Sequence, residues 1–381
     1  MKYLIVIIIL LIQLSSCFNK THDRNLIEGE LISKVNLKIG KISLDSFYLD
    51  STSTSFIGTL HVYHDNIIMV DNQFCWVFRF DRNGKLISRN IGQGDGESEL
   101  PCRKIDAYVL LPNGEHMFFG PSWDVYIFDS NFIKIADYRI DWHPRGNKEY
   151  VGLHPDPSDP IMYSATFGLQ QIRADKKNVY LPLYSQHNLF NPIVETYSKQ
   201  ARVIGEMDFK TGDVTKIFGR LSPIYQQNKS VRIFSYLHYD LIDDDEMAIT
   251  YPVDSVIYIV SRNFSLKRKF GSAGKSMSMN YQVIKEYNKI SSTWSKESKS
   301  KGYYTSIDFV KQRNLLFRSY QKSGISLVDG LQIYKFDELI ADVDIPKKCK
   351  IIGYIKPYFY ISKGPDEISG NTKLFRFQLP L

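Results

Sequence analysis

Short apolar segments separated by turn residues recur along most of the chain. Between residues 56 and 91, four segments of strand length read FIGTLHVY, NIIMVDN, CWVFRFD and GKLISRNI. Alternation of apolar and polar residues within such segments is typical of strands with one buried face. The turn before the fourth segment contains Asn83 and Gly84, a pair that supplies the positive φ angles of a tight hairpin. The pattern therefore predicts a four-stranded antiparallel sheet.

Similar units begin near Lys104, Thr166, Val231 and Tyr303, and a sixth unit at the end of the chain has only three clear strands. Repeats at a spacing of about 45–70 residues are typical of β-propeller blades with their loops. A propeller closes by pairing strands from both chain ends in one blade, which removes exposed sheet edges. We therefore predict an all-β, six-bladed β-propeller in which residues 35–40 (VNLKIG) complete the last blade. Seven blades stay open if long inserts hide strands.

Two inserts interrupt the repeats. Residues 141–160 are rich in Pro, His and Gly, and residues 276–302 are rich in Ser and Lys. The segment MNYQVIKEYNKISSTW within the second insert predicts a short helix. Loops of this length in a compact domain are often functional, although they can also be surface decoration.

The start of the chain carries a sorting signal. Lys2 is followed by an apolar run that ends at Ile12 and is too short to cross a bilayer comfortably. The sequence Leu-Ser-Ser before Cys17 resembles the lipobox of bacterial lipoproteins. This resemblance implies that residues 1–16 are a signal peptide, that Cys17 carries the lipid and that residues 17–30 form a tether before a propeller domain at 31–381. An uncleaved anchor helix or a plain secreted protein are the alternatives.

The predicted location is the cell envelope. Phe18 follows the lipobox cysteine where Asp would favour inner-membrane retention, and residues 19–24 lack the acidic run associated with surface export. By this resemblance the lipid anchor would lie in the outer membrane, with the protein facing the periplasm.

Composition excludes two classes of protein. With 43% hydrophobic and 23% charged residues, the chain is not wholly disordered. The net charge of +7 is spread along the sequence and gives no nucleic-acid footprint.

Cys75, Cys102 and Cys349 form no C-x-x-C motif, so neither a zinc site nor a redox motif is predicted. In an oxidising compartment at most one disulfide can form among the three, and which pair forms it stays open.

No motif indicates a metal, a cofactor or a catalytic centre. The glycine-rich segment at 91–97 is spaced G-x-G-x-G and opens no helix, so it predicts a turn between blades rather than a phosphate loop. Residues 81–84 lack the remaining ligands of a calcium loop, and residues 243–246 are typical of a solvated turn. The sequence contains neither H-E-x-x-H nor G-x-S-x-G. Carboxylate pairs for glycoside chemistry stay open, since such pairs meet only in space.

Candidate ligand-binding residues lie in the loops, where the face of a propeller would present them. Aromatic rings there can stack on sugars or peptides, and loop imidazoles can converge with them. Most other aromatic residues alternate within strands and are predicted to pack between blades. The candidates are Trp123, Trp142, His143, Tyr150, His154, Tyr184, His187 and Trp294.

One junction between repeats has the quality of a family motif. Residues 78–99, FRFDRNGKLISRNIGQGDGESE, resemble the blade junction of Bacteroidota six-bladed β-propeller lipoproteins of unknown function, a TolB-like propeller group. Residues 357–361 (PYFYI) fit the same group, whereas Asp95 replaces its usual Pro. The resemblance implies a fold and an envelope location, and it implies no chemistry.

The predicted function is a membrane-anchored binding module whose loops and central channel recognise a peptide, a glycan fragment or a protein partner. The alternative is an envelope enzyme acting on glycans, a hydrolase or lyase with its site at the channel. An enzyme requires ionisable side chains with perturbed pKa values that converge at the channel mouth. A structural subunit of an envelope complex is a third class, and an open apolar face would favour it.

Overall fold

Six small sheets surround one axis in the computed structural model, which describes residues 29–143, 148–168, 171–278, 280–365 and 371–380. Three strands precede the first complete blade: β1 (Leu31–Ile32), β2 (Lys34–Ile39) and β3 (Asp45–Tyr48). Blade 1 contains β4 (Gly58–Tyr63), β5 (Asn66–Asp71), β6 (Val77–Asp81) and β7 (Leu86–Asn90). Blade 2 contains β8 (Ala107–Leu110), β9 (His116–Phe119), β10 (Asp124–Phe128) and β11 (Lys134–Arg139). Blade 3 contains β12 (Ser164–Ala165), β13 (Arg173–Ala174), β14 (Asn178–Tyr184), β15 (Ile204–Asp208) and β16 (Val214–Phe218).

Blades 4 to 6 follow in chain order. Blade 4 contains β17 (His238–Leu241), β18 (Glu246–Thr250), β19 (Ile257–Ser261) and β20 (Leu266–Phe270). Blade 5 contains β21 (Tyr303–Val310), β22 (Leu315–Gln321), β23 (Val328–Lys335) and β24 (Glu338–Pro346). Blade 6 contains β25 (Lys350–Ile355), β26 (Tyr358–Ser362) and β27 (Lys373–Phe377). The first strands of successive blades contact one another, β8 with β13, β13 with β17, β17 with β21, β21 with β25 and β25 with β4. These strands therefore form the wall around the axis, and the predicted six-bladed propeller is confirmed.

The ring closes as predicted, but with a different strand. The outer strand of blade 6 is β3, which pairs antiparallel with β27 and places Phe47 opposite Leu374. The prediction that residues 35–40 fill this position is wrong, because β2 pairs in parallel with β24 of blade 5. The closing strand is the one nearest β4 in the chain, and short connections are the rule between neighbouring strands.

The N-terminal segment thus runs along the outer edges of three blades before it reaches the axis. Strand β1 pairs in parallel with β20 of blade 4, β2 with β24 of blade 5, and β3 with β27 of blade 6. Residues of β2 are mostly exposed, with Ile39 as its buried residue. We call residues 31–48 the edge strap. It covers sheet edges that would otherwise be open to pairing.

The predicted turns are present. The Asp81 Oδ1 accepts hydrogen bonds from the amides of Asn83 (2.8 Å) and Lys85 (2.9 Å), and Gly84 has φ +92°. The glycine-rich segment connects blades 1 and 2 and is closed by Glu99, whose Oε2 accepts from the Gly96 amide at 3.0 Å. Both segments are therefore structural turns.

The hydrophobic core lies between blades, where the strand aromatics pack as predicted. In one cluster Phe317 and Ile333 of blade 5 meet Phe359 and Phe377 of blade 6. The rings of Phe317 and Phe359 are 5.1 Å apart between centroids. Such packing stabilises each blade against its neighbours and holds the ring together.

Long connections cover one face of blades 3 to 5. They contain helices α1 (Lys148–Leu153), α2 (Glu195–Gln200), α3 (Ile224–Gln227) and α4 (Ile290–Ser300). None of the helices among the described residues has the length and apolar character needed to cross a bilayer. The predicted helix in the second insert corresponds to α4, which begins later than the predicted segment. We call residues 148–163, 185–203, 219–237 and 280–302 the cap.

The cap has its own packed interior. The Tyr225 hydroxyl donates to the Phe234 carbonyl oxygen at 2.8 Å, and the rings of Phe234 and Tyr281 lie 4.7 Å apart. The Tyr163 hydroxyl accepts from the Arg202 amide at 3.1 Å. The cap therefore consists of the two predicted inserts and two further long connections, 185–203 and 219–237. The repeat pattern in the sequence did not reveal these two connections.

Candidate functional site

A cavity of about 340 Å³ lies at the axis, between the first strands of blades 1, 2, 3 and 6. Its wall includes His61 of β4, Tyr108 of β8, Arg173 of β13 and Lys350 of β25. Phe167, from the connection between β12 and β13, adds an aromatic ring. Each blade aims its first strand at the axis, so side chains far apart in the sequence converge on one cavity.

Arg173 is held in place by two carboxylates. Its Nε donates to Asp240 Oδ1 at 2.6 Å and a terminal nitrogen donates to Asp308 Oδ1 at 3.1 Å. All three side chains are largely buried, with 19%, 15% and 10% exposed. Burial opposes the charge of Arg173, but the two carboxylates outweigh it and raise the pKa of the guanidinium. The guanidinium therefore stays charged and cannot rotate freely.

The two carboxylates are also fixed from behind. The second oxygen of Asp240 accepts from the Phe309 amide at 2.6 Å. The second oxygen of Asp308 accepts from the Ser306 hydroxyl at 2.8 Å. Burial raises the pKa of Asp308, against the attraction of Arg173. Both acids are thus engaged in positioning Arg173.

Lys350 has no comparable partner. It begins β25 on the cavity wall, and its Nζ makes no hydrogen bond or close ion pair with any other residue that the structure describes. Burial lowers the pKa of this amine, Asp308 opposes the shift, and the nearby positive charge of Arg173 adds to it. A partly desolvated cation without a bonded anion is costly, and an anionic ligand would relieve that cost.

Two imidazoles beside these cations are neutral. The Nε2 of His61 lies 3.0 Å from Thr59 Oγ1, and its ring is 5.0 Å from that of Tyr108. Burial, followed by the charges of Lys350 and Arg173, lowers the pKa of His61 to about 3. Burial and Lys350 lower the pKa of His238 to about 3 as well. Neutral imidazoles can exchange hydrogen bonds with a ligand without adding charge.

His238 has an unsatisfied polar atom. Its side chain is 7% exposed, and the buried Nε2 has no hydrogen-bond partner among the described residues. His238 begins β17, the first strand of blade 4, and is near enough to Lys350 and Arg173 for their charges to affect its pKa.

The cavity wall carries an excess of positive charge. Arg173, Lys350 and Lys363 line it, and Asp106 is the acidic residue of the wall. Asp106 is paired with Lys104, whose Nζ lies 2.7 Å from its Oδ1. The arrangement suits a small ligand that has an anionic group for the cations and a ring or apolar part for Tyr108 and Phe167.

None of the eight candidates from the sequence is among the described residues that line the axial cavity, but two of them lie close to it. The rings of Trp123 and Trp142 are 5.7 Å apart, and Trp123 is also 5.7 Å from Phe167. Trp123, Asp106 and Phe167 line a second cavity of about 340 Å³. Phe167 and Asp106 belong to both cavities, so the tryptophan pair lies beside the axial site.

His143 lies in a different cluster, between the outer parts of blades 2 and 3. Its Nε2 is 3.0 Å from Asp213 Oδ1 and its Nδ1 is 3.5 Å from Asp141 Oδ2. The ligand atoms of the three residues lie within 4.8 Å of one another, so the group could hold a metal ion. The sequence did not predict this grouping, because Asp213 is remote in the chain.

Four of the other candidates belong to the cap, and Tyr184 is the last residue of β14. Tyr150 of α1 stacks on His154, which follows the helix, with ring centroids 4.4 Å apart, and Tyr150 is 61% exposed. Burial, followed by Tyr287, raises the pKa of Tyr184 to about 12. The His187 Nδ1 accepts from the Leu189 amide at 3.1 Å. Trp294 is partly buried and packs against the large core cluster that includes the cap.

The sequence analysis missed the axial residues Arg173, Asp240, Asp308 and Lys350, which lie on four different blades. Each is a charged residue in a strand of otherwise apolar or uncharged character, as in HYDL of β17 and SIDF of β21. A charged side chain in the first strand of each predicted blade was the available signal, because that strand faces the axis.

Comparison with known proteins supports the fold alone. No family model matches the chain, and no curated protein matches it. Among solved structures, a member of the DUF4221 family from Bacteroides vulgatus matches with a TM-score of 0.64 and 13% identity, covering 91% of this chain and 98% of that one. A protein from Bacteroides fragilis described as exported matches with a TM-score of 0.50 and 13% identity, with the same coverage of both chains. At such identity the likeness is one of architecture.

Proposed function

We propose that this protein is a binding module of the bacterial cell envelope and that its axial cavity recognises a small ligand bearing a carboxylate or a similar anion. The observation that carries the proposal is Lys350, a half-buried amine on the cavity wall without a bonded partner among the described residues, next to the anchored guanidinium of Arg173. Ligand specificity in buried sites usually comes from a few polar groups placed in this way.

The anionic group of the ligand would bind the terminal nitrogen of Arg173 that neither Asp240 nor Asp308 contacts. Those carboxylates bind the Nε and one terminal nitrogen of Arg173, and the other terminal nitrogen has no hydrogen bond to a described residue. A carboxylate between this nitrogen and Lys350 Nζ would form charge-assisted hydrogen bonds, which are the stronger kind in proteins. Tyr108 and Phe167 would contact the remainder of the ligand.

Binding is favoured over catalysis because the acids near the axis are already occupied. Asp240 and Asp308 both bind Arg173, so neither is available as a general acid or base. Glycoside hydrolysis needs two free carboxyl groups that flank the scissile bond.

The lowered pKa of Lys350 supports a second function, an envelope lyase that acts on acidic glycans. A lower pKa makes the neutral amine more accessible. Lys350 Nζ would take the proton next to the carboxylate while Arg173 balances the charge, the electron pair of that C–H bond would form a carbon–carbon double bond, and the glycosidic C–O bond would break, with the departing oxygen taking up a proton from water. Such elimination leaves a carbon–carbon double bond, which ultraviolet absorbance detects when the protein is incubated with polygalacturonate. Absorbance that grows with the wild type and not with Lys350→Met would establish this function instead.

The binding proposal is tested by calorimetric titration of the full chain with matched ligands. Glucuronate is compared with glucose, and N-acetylalanylalanine with its C-terminal amide, so that each pair differs in one negative charge. We expect the acid of at least one pair to bind and its neutral partner to bind at least about tenfold more weakly, since a charge-assisted hydrogen bond contributes about 1.5–3 kcal/mol.

Lys350→Met should weaken binding of the acid about 10- to 100-fold for the same reason. Lys176→Met is the matched control, because the Lys176 side chain is 80% exposed and pairs with Asp244. Equal binding of acid and neutral partner, or unchanged affinity in Lys350→Met, would contradict the proposal.

The envelope location is supported by the lipobox-like sequence at Cys17, which lies outside the described residues. Lipid attachment there would tether the protein through residues 17–30 to the edge strap at blade 4. Cys17→Ala should release the protein from the membrane fraction of cells. A variant that stays with the membranes to the same extent as wild type would count against lipid anchoring.

A further inference from the structure

Two of the three cysteines lie together at the junction of blades 1 and 2. Cys75 lies in the connection between β5 and β6, and Cys102 lies in the connection from blade 1 to blade 2, 27 positions later. The Cys75 Sγ lies 3.7 Å from the Cys102 carbonyl oxygen, and the two thiols are near enough for each to affect the pKa of the other. Both pack in the same core cluster, and both are free thiols in the structure.

The backbone holds these two connections together without help from the cysteines. The side-chain amide of Gln93 donates to the carbonyl oxygens of Gln73 and Arg103, both at 2.7 Å. The amide of Ile105 donates to the Asn72 carbonyl oxygen, also at 2.7 Å. These hydrogen bonds hold the residues just before Cys75 close to the residues just after Cys102, so the two cysteines are kept side by side.

We propose that Cys75 and Cys102 are joined by a disulfide in the mature protein. The oxidant is a reactive disulfide of the thiol–disulfide exchange class, which oxidising compartments supply. The Cys102 thiolate attacks one sulfur of the oxidant, a mixed disulfide forms and the first oxidant thiolate leaves. The Cys75 thiolate then attacks Cys102 Sγ, the Cys75–Cys102 bond forms and the second oxidant thiolate leaves. The protein loses two protons and two electrons, and the oxidant is reduced to two thiols.

The order of attack follows from the environments of the two thiols. Cys102 is half-buried, so an external disulfide can approach its sulfur. Cys75 is fully buried, so an external disulfide cannot reach its sulfur directly. The accessible thiol reacts first with an external disulfide.

Cys349 belongs to a different environment. It is buried in the cluster between blades 5 and 6, and burial raises the pKa of its thiol to about 12. It shares no core cluster with Cys75 or Cys102. The inference therefore assigns one pair among the three cysteines and leaves Cys349 as a buried thiol.

The disulfide would fix part of the rim of the axial cavity. Asn72 precedes Cys75 by three positions and Asp106 follows Cys102 by four, and both residues line the cavity. A covalent bond between the two connections would limit how far this side of the rim can open. The two thiols can be joined whatever ligand the axial cavity binds, and an added oxidant can join them outside the cell envelope.

The test is peptide mapping of the full chain in detergent after exposure to oxidised glutathione. Free thiols are blocked with N-ethylmaleimide under denaturing conditions before digestion and mass spectrometry. We expect a cross-linked pair of peptides containing Cys75 and Cys102, which separates on reduction, and an alkylated Cys349. Full alkylation of both Cys75 and Cys102 without prior reduction would overturn the proposal.

Single variants test the order of attack and serve as controls. In Cys75→Ser the mixed disulfide cannot be resolved, so Cys102 should accumulate as its glutathione adduct, and Cys102→Ser should give much less adduct at Cys75. Cys349→Ser should form the cross-link as readily as wild type. Equal adduct formation in the two single variants would overturn the assigned order, and loss of the cross-link in Cys349→Ser would overturn the assigned pair.

Discussion

Replacement of His238 by Gln should flatten the dependence of stability on pH. His238 is buried at the start of β17, and burial, Lys350 and Arg173 all disfavour its protonated form in the folded protein. In the unfolded chain the imidazole regains its ordinary pKa of 6.5, compared with about 3 in the folded protein. Above pH 6.5 the imidazole is neutral in both the folded and the unfolded protein, so His238 does not affect the free energy of unfolding. As the pH falls below 6.5, the unfolded chain binds a proton that the folded protein does not, and the folded protein loses stability.

The size of the effect follows from the difference in proton binding. At about pH 5 the unfolded imidazole is almost fully protonated and the folded one is neutral, so the cost is about 1.36 kcal/mol for each pH unit below 6.5, or about 2 kcal/mol. The glutamine side chain does not titrate, so wild type should lose about 2 kcal/mol more than His238→Gln between about pH 8 and about pH 5. The imidazoles of His61 and His116 also have lowered pKa values in the folded protein and contribute to the pH dependence, but they are present in both proteins and cancel in the comparison.

The assay is urea denaturation monitored by tryptophan fluorescence at both pH values. His154→Gln, at an exposed position directly after α1, is the control for the substitution itself. A loss of stability in His238→Gln equal to that of wild type would refute the reasoning, because it would show that His238 titrates alike in the folded and unfolded chains.

Two further predictions concern ring closure and a buried cation, and both are measured by urea denaturation. Phe47→Ala on β3 should destabilise the protein by about 2 kcal/mol, because the half-buried ring packs on Tyr360 with ring centroids 6.1 Å apart. Val35→Ala on β2, where the side chain is 54% exposed, should change the free energy of unfolding by less than about 0.5 kcal/mol. Equal effects of the two substitutions would contradict closure of the ring by β3. Arg318→Met should cost about 3–5 kcal/mol, because Arg318 is 0% exposed and the substitution removes its charge-assisted hydrogen bonds to the carbonyl oxygens of Ser255 and Ser272 and to Gln332 Oε1. Arg139→Met, with a side chain 67% exposed, should cost less than about 0.5 kcal/mol, and a small effect in Arg318→Met would contradict this account.

Local signals in the sequence were sufficient for the blades. The Asn83–Gly84 hairpin and the alternating segments around it correspond to β6 and β7, because a tight turn and a half-buried strand are determined by neighbouring residues. The count of six followed from their repetition. The assignment of the closing strand failed, because pairing between the two chain ends is set by tertiary packing, and KVNLKI of β2 alternates polar and apolar residues as a strand does, whereas the short DSFY of β3 does not.

The axial site could not be predicted in the same way. Arg173, Asp240, Asp308 and Lys350 are contributed by four blades, and no spacing in the sequence relates them. The loop aromatics were the visible alternative, and Trp123 does lie beside the axial cavity through its contact with Phe167. Most of the other candidates belong to the cap, of which connections 185–203 and 219–237 are part. These two connections lack the composition bias that marked the other inserts, so their part in the cap was not apparent.

The charges at the axis depend on the closed ring. Arg173 and Lys350 repel each other, and their nearness is tolerated because Asp240 and Asp308 hold Arg173 from blades 4 and 5. In an open array blade 6 could move outward and take Lys350 into solvent, which would remove both the repulsion and the desolvation of the amine. Pairing of β3 with β27 ties blade 6 to the segment that leads into β4 of blade 1, and β1 and β2 run along the outer edges of blades 4 and 5. The edge strap therefore confines the blades that carry Asp240, Asp308 and Lys350, and the fold keeps an incompletely paired cation at the axis where an anion can complete it.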